Sequence, residues 1–134
     1  MQIITASFSE ILQFWENLPN LSKEPVSFMK FLGGYHLADE IGSPTYYLAV
    51  YRNLAVVGCN SVHATGDMFR SRGLWVHPHF RKMGFGTRLL EHGISLSGGK
   101  IWSYPNKQAI STYLAAGFKV ALETVNNYYV VRET

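Results

Sequence analysis

One stretch narrows the possible folds of this chain more than any other: Leu74-Trp75-Val76-His77-Pro78-His79-Phe80-Arg81-Lys82-Met83-Gly84-Phe85-Gly86-Thr87-Arg88-Leu89-Leu90. A strand pattern runs into a turn marked by Pro78, then a basic, glycine-containing loop, then a helical pattern. The first backbone N–H groups of a helix lack intrahelical partners and carry the positive end of the helix dipole. Gly84 and Gly86 remove the Cβ atoms that would keep a ligand off the backbone. Arg81, Lys82 and Arg88 add positive charge, so the arrangement suits a pyrophosphate at a helix start. A lone Gly-x-Gly is better read as tight packing at a strand-to-helix turn; the strand, the proline turn, the arginine and the helix around it favour the anion site. Other phosphate loops do not fit. The chain has no G-x-x-x-x-G-K-[ST], and no G-x-G-x-x-G opens a βαβ unit near the amino terminus.

The elements around this loop follow from periodicity. Met1 to Ala6 reads as a strand, and Ser7 or Ser9 caps a helix through Ile11, Leu12, Phe14, Trp15 and Leu18. Ser22 to Leu32 reads as a second helix, broken by Gly33-Gly34. Thr45 to Tyr51 alternates, with Tyr46, Leu48 and Val50 on one face and Tyr47, Ala49 and Tyr51 on the other. Arg52-Asn53 is short enough for a hairpin turn. Leu54 to His63 and Phe69 to Val76 continue the sheet, and Gly84 to Ser97 is helical until Gly98-Gly99. Lys100 to Tyr104 is a short strand, Asn106 caps a helix ending near Gly117, and Lys119 to Glu123 pairs with Tyr128 to Arg132. The predicted fold is α/β (α+β), with a mixed sheet of about six or seven strands flanked by about four helices.

At 134 residues the chain has the length of one domain spanning 1–134. A single cysteine, Cys59, excludes an intramolecular disulfide and disfavours a Cys-based zinc site, so no metal is expected. Its apolar surroundings, Leu54 to Gly58, make it a small buried hydrophobe. No leader pattern opens the chain, and no apolar run approaches the ~20 residues of a membrane helix. The expectation is a soluble, cytoplasmic protein, monomer or homodimer, that does not contact membrane. The net charge of +3 is mild and scattered, which argues against a nucleic-acid partner.

Val76-x-Pro78-x-x-Arg81-x-x-Gly84-x-Gly86 resembles the acyl-CoA-binding motif of the GNAT superfamily of N-acetyltransferases. A second hallmark follows at the usual separation, in Asn106-x-x-Ala109-x-x-x-Tyr113-x-x-x-Gly117-Phe118. The element order also fits, so the resemblance covers nearly the whole chain. One departure is Lys82, where many members carry glycine. The resemblance implies acetyl-CoA as cosubstrate and the primary amine of a small molecule or peptide as acceptor. Leu74 and Val76 would pair with the pantetheine arm through their backbone. The amides of Arg81, Lys82, Met83, Gly84, Phe85 and Gly86, with Thr87, would hold the pyrophosphate. Asn106 would contact the cofactor arm, and Tyr113 would act as the catalytic general acid. A non-catalytic acyl-CoA-binding or sensing module is the alternative. The general base stays open among His63, Asp67, His36, Glu24 and His77, with His63 the better placed. The acceptor side implied by the family comprises Ser22 to Leu32, Gly33 to His36 and Val125 to Tyr129, with Glu24, Asp39 and Glu40 nearby; Tyr35, Tyr128 and Tyr129 are candidate lining residues.

Overall fold

The computed structural model describes residues 2–16, 44–51 and 55–133. The predicted Ser22–Leu32 helix, the Arg52-Asn53 turn, and His36, Glu24, Tyr35, Asp39 and Glu40 lie outside the described residues. Within them the chain order is β1 (Gln2–Ala6), α1 (Phe8–Glu16), β2 (Thr45–Tyr51), β3 (Ala55–Ala64), β4 (Phe69–Val76), a 3₁₀ turn (Pro78–Phe80), α2 (Phe85–Leu96), β5 (Ile101–Ser103), α3 (Ile110–Ala115), β6 (Lys119–Glu123) and β7 (Tyr128–Arg132). The strands form one sheet in the order β1-β2-β3-β4-β5-β7-β6. Every neighbouring pair is antiparallel except β4–β5. This is the predicted mixed sheet with seven strands. Three α-helices are described where about four were expected.

Strand alternation sorts the core into two layers. Tyr46 and Leu48 join Ala6, Ile11, Cys59 and Trp75 under α1. Tyr47 and Ala49, on the opposite face of the same strand, join Val62, Leu89, Leu90, Ile94, Ile101, Tyr113 and Val130 under α2 and α3. Helix α1 starts at a capping box: the Ser7 N–H donates to Glu10 Oε1 (3.0 Å) and the Glu10 N–H to Ser7 Oγ (3.1 Å). Helix α2 buries Phe85, Leu89, Leu90, Gly93 and Ile94, one stripe of a 3.6-residue period. A Cβ at Gly93 would meet the Tyr47 hydroxyl and stand 2.9 Å from Val62 Cγ1, so only glycine lets α2 lie this close to the sheet. Cys59 is buried, as its apolar run predicts, and desolvation pushes its thiol pKa far up, which leaves it unreactive.

Helix α3 begins later than the sequence suggests. Asn106 Oδ1 accepts from the Ala109 N–H at 3.0 Å and closes a turn, and regular helix starts only at Ile110. Its end is better anticipated. Gly117 takes φ 90°, the Phe118 N–H donates to Tyr113 O (3.1 Å) and the Gly117 N–H to Leu114 O (3.0 Å). That pair of bonds is a Schellman cap. Its accompanying apolar contact is Phe118 packed edge-on against Tyr113, with centroids 5.4 Å apart.

Candidate functional site

The site arises where the sheet comes apart. Strand β5 pairs with β4 only at Phe69–Ile101 and Arg70–Trp102. Beyond that point β5 stays with β7 through Ser103–Val130, and the chain continues along β7 with Tyr128 N–H donating to Pro105 O (3.0 Å) and an Asn106–Asn127 bridge. Meanwhile β4 continues through Leu74 to Val76 toward the 3₁₀ turn. A fork opens between the two strands. Its mouth is a groove of about 590 Å³, walled by β4 and α3 and closed at one end by the loop into α2.

Of the residues expected to meet a cofactor, Leu74, Val76, Arg81, Lys82, Gly84, Gly86, Thr87 and Asn106 line this groove. Met83 points to solvent at 58 % exposure, and Phe85 turns its ring inward, 5.9 Å from those of both Tyr51 and Phe80. Neither is among the groove-lining residues. The sequence reading missed Trp75 and Phe80 on the β4 side, and Gln108, Ala109, Ser111, Thr112 and Ala115 on the α3 side. The α3 signal was available: positions 108, 111, 112 and 115 recur every three or four residues, and the helical ones are small, so backbone can approach a ligand.

The loop geometry explains the glycines. Gly84 sits at φ 84°, immediately before α2. The N–H groups of Phe85, Gly86 and Thr87 then have no carbonyl four residues back within the helix, and Gly86 and Thr87 line the groove. Arg81 folds back to donate from Nε to the Val76 carbonyl at 2.9 Å. That oxygen keeps a second lone pair.

Lys82 adopts φ 62°, the one described non-glycine residue in the left-handed region. The backbone here asks for glycine, and placing a Cβ in that region costs about 1–2 kcal/mol. Lys82→Gly is therefore expected to raise stability, by up to about 1 kcal/mol once the added freedom of the unfolded chain is subtracted. Thermal denaturation measures this; a clear loss of stability would contradict the strain.

Tyr113 is 4 % exposed and is not among the groove-lining residues. Burial pushes its pKa up, while the Ser103 hydroxyl and the Arg70 charge act in the opposite direction. The residue packs in the core with Ile101, Phe118 and Val130.

The base candidates separate. Asp67 is exposed in the β3–β4 turn. His77 accepts from the His79 N–H (3.1 Å) and packs on Trp75 and Phe80. His63 is buried and stands opposite Arg70 across β3–β4. Desolvation lowers the His63 pKa from 6.5, and Arg70 and Arg72 lower it further. His92 and His77 are also lowered, chiefly by desolvation. A depressed folded pKa stabilises the fold above the unfolded value and loses that contribution as pH falls through the folded value. The melting temperature is expected to hold near pH 7 and to fall as pH drops below about 6.5. His63→Asn should flatten part of this decline; an identical decline would remove His63 as a contributor.

Among the described residues, no group of three or more His, Cys, Asp or Glu side chains is placed to hold a metal, and no helix is long and apolar enough to cross a membrane.

Residues 43–120 match the family model described as acetyltransferase (GNAT) domain. No curated protein matches the chain by sequence. Several solved structures share its fold. An acetyltransferase of the GNAT family from Staphylococcus aureus Mu50 is 17 % identical with a TM-score of 0.66, over 98 % of this chain and 97 % of that one. The PaiA N-acetyltransferase of Thermoplasma acidophilum, solved with coenzyme A, is 12 % identical with a TM-score of 0.68, over 100 % of both chains. The Campylobacter jejuni N-acetyltransferase PseH, solved with acetyl coenzyme A, is 19 % identical with a TM-score of 0.66, over 99 % of both.

Proposed function

The chain belongs to the GNAT acetyltransferase family, and from that premise we propose that it moves an acetyl group from acetyl-CoA to a primary amine of a small molecule or peptide. The observation that carries this reading is the fork between β4 and β5, opening onto the amino-terminal end of α2. An extended pantetheine arm needs a strand edge with unused hydrogen-bonding groups, and a pyrophosphate needs convergent N–H donors. The fork offers both within one groove. Leu74 and Val76 provide the strand edge; Gly84, Phe85, Gly86 and Thr87 provide the donors, with Arg81 and Lys82 beside them. Asn106 faces the arm from the α3 side.

The chemistry follows from what acyl transfer requires. The neutral amine nitrogen attacks the thioester carbon, giving a tetrahedral intermediate. The C–S bond then breaks, and its electron pair leaves on sulfur. Tyr113 gives its proton to that thiolate, and the proton lost from nitrogen returns to the phenolate or to solvent. From a phenol of pKa ~10 to a thiol of ~8.5 the transfer is uphill by about 2 kcal/mol, small beside a chemical barrier. Burial makes Tyr113 a weaker acid, and its Ser103 and Arg70 neighbours offset part of that. His63, neutral at pH 7 by its depressed pKa, is the candidate base nearest the fork in strand register.

A second reading, a binding or sensing module without turnover, draws on Tyr113 lying behind the groove wall instead of lining it. Both readings require acyl-CoA binding, so binding is the first test. Acetyl-CoA and CoA should each raise the melting temperature, by about 2.7 kcal/mol of stabilisation at a hundred times Kd. An oligonucleotide should not. Stabilisation by the oligonucleotide alone would overturn both readings.

A further inference from the structure

The fork has a second face, away from α2 and α3. Phe69, Leu74, Val76 and Ile101 pack toward those helices, so Arg70 and Trp102, level with each other in register, point the other way. Arg70 and Arg72 stand opposite His63 and Ser61, which alternate along β3 with Cys59 of the α1 layer. Tyr129 lies between Tyr128 and Val130, both turned to the α2–α3 layer, and therefore joins the same face. Beyond the Arg70–Trp102 pair the strands part. On this face the fork has a cationic lip on β4 and an aromatic lip on β5 and β7.

The two lips offer different chemistry. Trp102, Tyr129 and Tyr104 run in a row, with successive ring centroids 6.2 and 4.2 Å apart. Their polar ends are occupied: Trp102 Nε1 donates to Thr65 Oγ1 (2.9 Å), and the Tyr104 hydroxyl shares a hydrogen bond with Thr124 Oγ1 (3.0 Å). What the row presents to a ligand is ring surface. Arg70 Cζ lies 4.7 Å from the centre of the Trp102 ring. A guanidinium carries five N–H donors in one plane, so stacking and a further contact still leave donors for a planar anion. The face also reaches solvent. Tyr129 is 38 % exposed, and Arg70, Arg72, Trp102 and Tyr104 are half-buried. On the α2–α3 face Ile101 and Val130 are fully buried, which leaves an acceptor no entry there.

We propose that this face is the acceptor site and that its substrate is an amine carrying a carboxylate on an apolar or aromatic body, in the simplest case a free amino acid. The inference rests on acyl transfer at the fork. With the pyrophosphate at the start of α2, an arm laid along β4 passes Val76, then Leu74, and points its acyl end toward Arg72 and the apex. An acceptor then sets its carboxylate on Arg70 and Arg72 and its body on the Tyr104–Tyr129 stack, with its nitrogen at the fork. His63, the candidate base, shares this face, opposite Arg70. The bond changes stay those of acyl transfer: nitrogen gains the acetyl group and loses a proton, while sulfur takes the C–S electron pair and a proton. A polyamine, cationic along its length, is repelled by the same two arginines.

The test measures kcat/KM with acetyl-CoA for the twenty amino acids, spermidine and spermine, and then for the carboxamide and the decarboxylated amine of the best amino acid. An amino acid should lead, and should exceed its carboxamide and its decarboxylated amine by about tenfold to a hundredfold, the worth of a charge-assisted hydrogen bond. The carboxamide is a strict control, because its amine is more readily deprotonated than that of the amino acid. Arg72→Gln should raise the KM for the amino acid about tenfold to a hundredfold and shrink its lead over the decarboxylated amine. Arg72→Lys, which keeps the charge but loses the planar fork, should fall between. Stabilisation of each variant by CoA checks that it is folded. A polyamine or the carboxamide turned over as well as the amino acid would overturn the proposal and leave acyl transfer standing. So would a KM for the amino acid unmoved by both Arg72→Gln and Arg70→Gln. Acetyl-CoA left intact beside every amine would remove both.

Discussion

Tyr113→Phe is expected to lower kcat by about a hundredfold to ten-thousandfold, the usual worth of a positioned general acid. The KM for acetyl-CoA should change little. The reason for the split is local. The ring is one wall of the core beneath α2 and α3, and phenylalanine keeps that packing together with the edge-on contact to Phe118. Only the hydroxyl is removed. What is lost is the proton for the departing thiolate, so the penalty falls on the chemical step and not on binding. The melting temperature should stay within a few degrees of the parent. A drop in kcat under threefold with a verified acceptor would take Tyr113 out of the mechanism and favour the sensing module.

Thr87→Asp should produce the second large effect, on the other half of the site. Thr87 is the third residue of α2 and lines the closed end of the groove. Aspartate nearly matches threonine in volume. At that position in a helix a carboxylate is stabilising by about 0.3–1 kcal/mol through the dipole. The fold should therefore tolerate the change or gain from it. The same carboxylate would face a pyrophosphate seated on the free N–H groups of Phe85, Gly86 and Thr87. At ~4 Å and an effective dielectric of about 20, one like-charge pair costs about 4 kcal/mol. Allowing for salt screening, the Kd for CoA should rise about a hundredfold to a thousandfold. Thr87→Ala, which removes a hydroxyl but adds no charge, should cost tenfold at most. Unaltered CoA affinity in Thr87→Asp would place the pyrophosphate somewhere other than the start of α2.

Local signals carried much of this architecture. Alternation in Thr45 to Tyr51 assigned Tyr46 and Leu48 to one face and Tyr47 to the other, as they pack. The glycines at 84, 98, 99 and 117 marked helix boundaries because each occupies a positive φ there. What sequence did not disclose is non-local. The last two strands read as a hairpin, yet nothing in Lys119 to Arg132 says that β7 inserts beside β5 while β6 takes the edge. The fork itself depends on that insertion, since β7 draws the chain after Ser103 away from β4. Asn106 was legible as a cap, but whether it caps a helix or a preceding turn is decided by the Tyr104-Pro105 segment held against β7. The strain at Lys82 has a similar origin. The motif shows a lysine where many relatives have glycine, and only the backbone shows why glycine is common there. Asn60 donates to the Tyr47 hydroxyl and to Ser71 Oγ, and Ser103 Oγ donates to the Ser71 carbonyl; these bonds join four strands, so the residues look like unrelated core positions when read along the chain.

The central claim is that the groove holds acetyl-CoA for transfer to an amine. Its most direct test is mass-spectrometric detection of acetylated product after incubating the protein with acetyl-CoA and a panel of polyamines, amino acids and short peptides. The account predicts an acetylated amine formed in step with free CoA, abolished by Thr87→Asp and strongly slowed by Tyr113→Phe. Acetyl-CoA bound tightly yet recovered intact beside every amine would contradict it.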